Sequence, residues 1–145
     1  MKYAEMKSKQ QKIFDEFAEG KIYYIFALSD HEFNKQLKEY GLNMDDIRSI
    51  GGGGFIRREY YKDFIELIKS FTKEQEEAIA QDKTGNGFIK SMFLYELNNH
   101  EFAYTQDIFD TLDYLDLTLE QINKNQALKK GLMMAIELIN KSDEE

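Results

Sequence analysis

Ile47-Arg48-Ser49-Ile50-Gly51-Gly52-Gly53-Gly54-Phe55-Ile56-Arg57 is the stretch on which the fold class turns. Two short strand-like pieces flank four consecutive glycines, a pattern that folds most simply as a hairpin with a glycine-rich turn. Just upstream, Lys21 to Leu28 reads Lys-Ile-Tyr-Tyr-Ile-Phe-Ala-Leu. Eight residues of apolar, aromatic and β-branched character suit a buried strand better than a helix. Strands near 21–28, 47–50 and 55–57 predict a small antiparallel sheet. The rest of the chain has helical spacing, so the expected class is α+β, mainly helical, with helices packing that sheet.

Outward from the sheet, Tyr3, Met6, Gln10, Ile13, Phe14 and Phe17 recur at three- and four-residue steps and predict an amphipathic helix over 2–18, closed by Gly20. Ser29 or Asp30 caps a helix carrying Phe33, Leu37 and Tyr40, with Gly41 as its stop. A long helical stretch starts near Tyr60, restarts at Thr72 through a capping-box pattern with Gln75, and ends near Asp82. Thr84-Gly85-Asn86-Gly87 is a turn, and Phe88 to Asn99 is apolar enough to be the central core helix. Shorter helices follow over 107–117 and 118–139, and Lys141 to Glu145 is a polar tail expected to fray.

The 145 residues match the size of a single domain spanning 1–145, and a 42% hydrophobic share supplies one ordinary core. With 11 Phe, 9 Tyr and no Trp, that core is built largely from rings and mid-sized aliphatic groups. The absence of cysteine removes disulfides, zinc thiolates and thiol nucleophiles from consideration. No apolar run approaches the ~20 residues that span a bilayer, and the first ten residues are too polar for a signal peptide. A soluble cytoplasmic protein without membrane contact is therefore expected. Proline is absent too, so every loop turns through Gly, Asn, Asp or Ser chemistry.

Charge is placed unevenly. Residues 1–72 balance 12 Lys and Arg against 12 Asp and Glu, whereas residues 73–145 set 7 against 15, which leaves the whole −8 in the second half. Between Ser91 and Asn123 there is no Lys or Arg, yet Glu96, Glu101, Asp107, Asp110, Asp113, Asp116 and Glu120 all fall there. Direct nucleic-acid binding through that half is disfavoured. The aspartates recur every three residues and admit three readings: a solvated helix face, a divalent-cation site, or a surface imitating nucleic-acid phosphates. Calcium normally takes a loop with a glycine and alternating oxygen ligands, which 107–116 lacks, so no metal is expected.

Gly51, Gly52, Gly53 and Gly54, with Arg57 and Arg58 close in sequence, offer a second constellation, a turn whose N–H groups could cradle a nucleotide-like anion. The spacing matches neither the P-loop nor the dinucleotide fingerprint, and a purely geometric hairpin is the plainer reading. His31 and His100 lack metal-ligand spacing and read as surface or capping residues. No nucleophile, base and orienting group can be assembled, so neither an enzyme nor a cofactor is expected.

Several stretches together resemble an uncharacterised family of small acidic proteins carried by phages and mobile elements of low-GC Gram-positive bacteria. They are Phe26-Ala27-Leu28-Ser29-Asp30 with Phe33, Ser49 to Arg57, Ala78 to Gly85 with Gly87-Phe88-Ile89, Tyr95-Glu96-Leu97, Asn99-His100-Glu101, Tyr104-Thr105, and Asp107 with Asp110-Thr111-Leu112. Phe102 and Gln106 stand where the family pattern has a tyrosine and a glycine. The resemblance implies a setting and no activity. Combined with the charge asymmetry, it leads to the expectation of a counter-defence protein of the anti-CRISPR or anti-restriction type. Such a protein would bind a host nuclease complex through Glu96, Glu101, Asp107, Asp110, Asp113, Asp116 and Glu120. The alternatives are an anion-binding or signal-sequestering module built on the glycine turn, and a structural or regulatory interaction protein using an exposed apolar helix face.

Overall fold

The computed structural model describes residues 2–144. These form eight α-helices and one three-stranded antiparallel sheet, in the order α1 (Tyr3–Ala18), β1 (Ile22–Tyr24), α2 (Asp30–Glu39), β2 (Ile47–Gly51), β3 (Gly54–Arg57), α3 (Tyr61–Gln81), α4 (Phe88–Asn99), α5 (Phe102–Thr105), α6 (Phe109–Leu115), α7 (Leu119–Lys124) and α8 (Gln126–Glu144). The α+β, mainly helical class is as the sequence predicts. The residues group into two compact units, one of 1–9 with 73–145 and one of 10–72.

The unit of residues 10–72 is organised by the sheet, whose strand order is β1-β3-β2. Three of the four glycines lie in the left-handed region, Gly51 at φ 88°, Gly52 at 60° and Gly53 at 78°, where a side chain would be strained. The Phe26 ring also lies so close to Gly53 that a Cβ there would collide with it. One face packs Ile25, Leu37, Leu42 and Ile47 with Tyr23, Phe33 and Phe55, the last two rings edge-on at 5.0 Å. Across the strands Ile22 pairs with Ile56, and both are buried.

β1 is shorter than expected: it covers Ile22–Tyr24, and residues 25–28 leave the sheet. The reason is the length of its partner. β3 begins at Gly54, so beyond the Ile25 N–H bond to Gly53 O at 3.0 Å the chain has no strand to pair with. Helix side chains take over: Gln36 donates to Phe26 O at 3.2 Å and the Glu32 carboxylate accepts Leu28 N–H at 3.2 Å. Phe26 and Leu28 are left 73% and 99% exposed instead of buried. Ser29 caps α2, accepting Glu32 N–H at 3.2 Å.

α3 is continuous, without the restart expected at Thr72. No glycine or proline interrupts residues 61–81, and Thr72 Oγ1 donates back to Ile68 O at 3.2 Å instead of capping a new helix. At the other end of the chain α8 runs on through Lys141 and Ser142 to Glu144, where a polar tail was expected, and Glu145 lies outside the described residues.

The other unit is built around α4. Its spacing of apolar residues puts Phe88, Ile89, Met92, Phe93 and Leu97 in the core, the last four at no more than 0% exposure. Tyr3 and Met6 from the start of α1 and Leu112, Leu115, Ile122, Leu128, Leu132, Ala135 and Ile139 from later helices close round it. α8 crosses the α3–α4 turn by way of a glycine pair: a Cβ at Gly131 would stand 2.8 Å from Gly85 O and collide with the Ile89 side chain.

Candidate partner-binding face

The seven carboxylates between Glu96 and Glu120 do not form one surface. Glu96 is buried, 1% exposed, on the inner face of α4 one turn from Met92 and Phe93. Its Oε2 accepts the Tyr3 hydroxyl at 2.8 Å and its Oε1 accepts Asn99 Nδ2 at 3.0 Å. Burial, reinforced by that bond to Glu96, pushes the Tyr3 hydroxyl far above its ordinary value, so it stays a proton donor. Around the same turn the Glu96 carbonyl accepts the Thr111 hydroxyl at 3.4 Å and His100 Nδ1 at 2.7 Å. A carbonyl only accepts, so Nδ1 carries the proton of that imidazole. Glu96 is a structural acid of the core and leaves the expected binding set.

The others are exposed, with different surroundings. Glu120 is paired with Lys124 at 2.7 Å on α7. Glu101 stands in the α4–α5 corner at φ 57°. Asp107, Asp110, Asp113 and Asp116 collect on α6 and its two ends. Thr111, Leu112 and Leu115 are the buried side of this seven-residue helix. Helical rotation then turns Phe109, Asp110, Asp113 and Tyr114 outward, in agreement with their exposure. At the front, Asp107 Oδ1 accepts Phe109 N–H at 2.8 Å. At the back, Asp116 closes the helix in the left-handed region at φ 57°. Among the described residues none of these four aspartates has a basic partner. Lys7, the basic side chain brought to this helix, donates to the Tyr114 hydroxyl at 2.8 Å instead. Tyr104 (89% exposed), Phe109 (54%) and Tyr114 (53%) set three large rings among the carboxylates.

The glycine turn and the arginines are not brought together. Gly51–Gly53 close one end of the β2–β3 hairpin, and Arg57 pairs with Ile47 at the other. The four residue steps from Gly53 to Arg57 hold them ~13 Å apart. Arg57 is committed to the Tyr23 hydroxyl at 3.3 Å and Arg58 to the Asp45 carbonyl at 3.0 Å. Asp45, Asp46 and Glu59 line the hollow beside both arginines. The expected anion cradle of Gly51, Gly52, Gly53, Gly54, Arg57 and Arg58 is not assembled.

A match between a family model described as a family of unknown function, DUF7659, and residues 2–138 covers nearly the whole chain. The chain belongs to that family. No curated protein and no solved structure matches it. The family identity agrees with the resemblance to an uncharacterised group, and it attaches no chemistry to α6.

In this DUF7659 chain two clusters escaped the reading of the sequence. One is the Tyr3–Glu96 pair, for which a signal existed: Glu96 continues the three- and four-residue spacing of Ile89, Met92 and Phe93. The other is Asp82. Its Oδ1 accepts Gly85 N–H at 3.0 Å and the Thr84 hydroxyl at 3.3 Å, and its Oδ2 accepts Gly87 N–H at 3.1 Å and Ile89 N–H at 3.0 Å. Burial works against its charge, but the backbone bonds from Ile89, Gly85 and Gly87 outweigh it and hold the carboxyl below its ordinary value. Asp82-x-Thr84-x-Asn86-Gly87 follows the opening of a calcium loop, but the twelfth position, where that loop has its bidentate glutamate, is the buried Phe93. Among the described residues no three His, Asp or Glu side chains converge as metal ligands. Asp82 therefore acts on the backbone, capping α4 from across the turn.

Proposed function

We propose that this chain is a non-enzymatic binding protein that presents α6 and its flanking turns to a basic protein surface. The partner is the nucleic-acid channel of a host nuclease complex, and the setting is counter-defence by a mobile element. One observation carries the reading: four exposed aspartates, two on α6 and two at its ends, surround Phe109 and Tyr114, and among the described residues none of the four has a basic partner. Carboxylates spaced along a helix present negative charge at intervals that a phosphate-binding surface can take up, and their field speeds encounter with a basic cleft. The rings supply contact area, because aromatic groups carry much of the energy of protein interfaces. Asp116 adds weight. It places a negative charge at a helix C-terminus, in a backbone conformation that favours glycine or asparagine, where stability alone would choose differently.

The test is retention of purified nuclease complexes, free of nucleic acid, on the immobilised chain, followed by the double substitution Asp110→Lys with Asp113→Lys. Binding to a basic nuclease should compete with its nucleic acid. The double substitution should raise Kd at least tenfold, which is ~1.4 kcal/mol. Equal binding by both proteins would remove α6 from the interface, and no retention of any basic nuclease would remove the partner class.

A further inference from the structure

Asn86-Gly87 is the one place in the sequence where an asparagine precedes a glycine; the other seven asparagines are followed by larger residues. Asn86 is exposed in the α3–α4 turn, and Gly87 has no side chain to shield its backbone nitrogen. Asp82 stands guard over that nitrogen: Gly87 N–H donates to Asp82 Oδ2 at 3.1 Å, and the same oxygen accepts Ile89 N–H at 3.0 Å. We propose that Asn86 is a self-modification site, converting to aspartate and isoaspartate, and that the Asp82 carboxylate is the brake on the conversion.

The Gly87 nitrogen attacks Cγ of Asn86. A bond forms between them, the Cγ–Nδ2 bond breaks, and the side-chain amide leaves as ammonia with the proton that the Gly87 nitrogen gives up. Water then opens the cyclic imide at either carbonyl, placing hydroxyl on carbon and hydrogen on nitrogen. One water is consumed, one ammonia is released, and nothing is oxidised or reduced. The first requirement is removal of the Gly87 proton. Here that proton faces a carboxylate, so its loss would set an amide anion against a negative charge, and close like charges repel strongly near a protein surface.

Modification reaches beyond the side chain. Isoaspartate lengthens the backbone by one methylene at residue 86, and either product adds a negative charge four residues from Asp82. The N–H groups gathered by Asp82 come from both sides of that point, Gly85 before it and Gly87 and Ile89 after it. Lengthening the path separates them, which uncaps α4.

The full-length protein is incubated at mildly alkaline pH, folded and in denaturant, and mapped by peptide mass spectrometry. In denaturant Asn86 should convert ahead of the other seven asparagines, and in the folded protein several-fold more slowly. Folded Asp82→Asn should convert several-fold faster than folded wild type, with equal rates once both are denatured. Should Asp82→Asn fail to fold, the folded and denatured wild-type rates still decide. Equal rates overturn the brake, and a denatured chain in which Asn86 is no faster than its peers overturns the site.

Discussion

Asp82 and Asp116 are two aspartates at helix ends with opposite effects. Asp82 accepts three backbone N–H groups at the start of α4, whereas Asp116 faces the carbonyl end of α6 in a left-handed conformation. Asp82→Asn keeps one acceptor but turns the other oxygen into a donor aimed at N–H groups, so it should cost ~1–2 kcal/mol in denaturant unfolding. The folded carboxyl lies below its ordinary value, so its contribution is full above the unfolded carboxyl pKa and is lost as pH falls through the folded one. The variant should therefore show a shallower loss of stability in acid than wild type, and parallel acid limbs would contradict this. Asp116→Asn suits the left-handed backbone and removes charge from the helix C-terminus, so it should raise stability by ~0.5 kcal/mol, read as a shift in urea midpoint. Gln106 sits at φ 55°, a backbone region that favours glycine; its Nε2 bonds to Phe102 O at 3.2 Å and Asn140 Oδ1 at 3.0 Å hold the turn.

Among the elements, α4 and α8 show how a fold can depend on a missing side chain. Gly131 lies inside α8, where alanine would ordinarily gain ~1 kcal/mol of helix propensity. A methyl group there would press on Gly85 O and the Ile89 side chain. The carbonyl cannot yield cheaply, because it accepts Lys90 N–H at 3.1 Å. Overpacking of this kind costs ~1–3 kcal/mol, so the steric term should win and Gly131→Ala should lower Tm. A raised Tm would mean that the two helices part without loss. Nothing in the sequence around Gly131 announces this, because a glycine in a helical pattern reads equally as a weak spot. α6 is the converse case: its aspartate spacing and apolar residues were legible, and so was an acidic outer face.

For the whole molecule, charge separates what is structural from what is available to a partner. If α6 meets a basic surface, affinity should fall steeply as salt rises, and the Asp110→Lys/Asp113→Lys protein should show a flatter slope in the same titration. A salt-independent complex would point instead to the rings, and Tyr104 and Phe109 would be the residues to replace. The chain's own residues determined the class of the fold, the hairpin at the four glycines and most helices, because hydrophobic period, caps and turn residues act over a few positions. Tertiary structure alone decided that Tyr3 is the partner of Glu96 and that β1 stops at Tyr24, leaving Phe26 and Leu28 outside the sheet. Those outcomes depend on which distant groups meet and on how long a partner strand is, and neither property is carried by neighbouring residues in the chain.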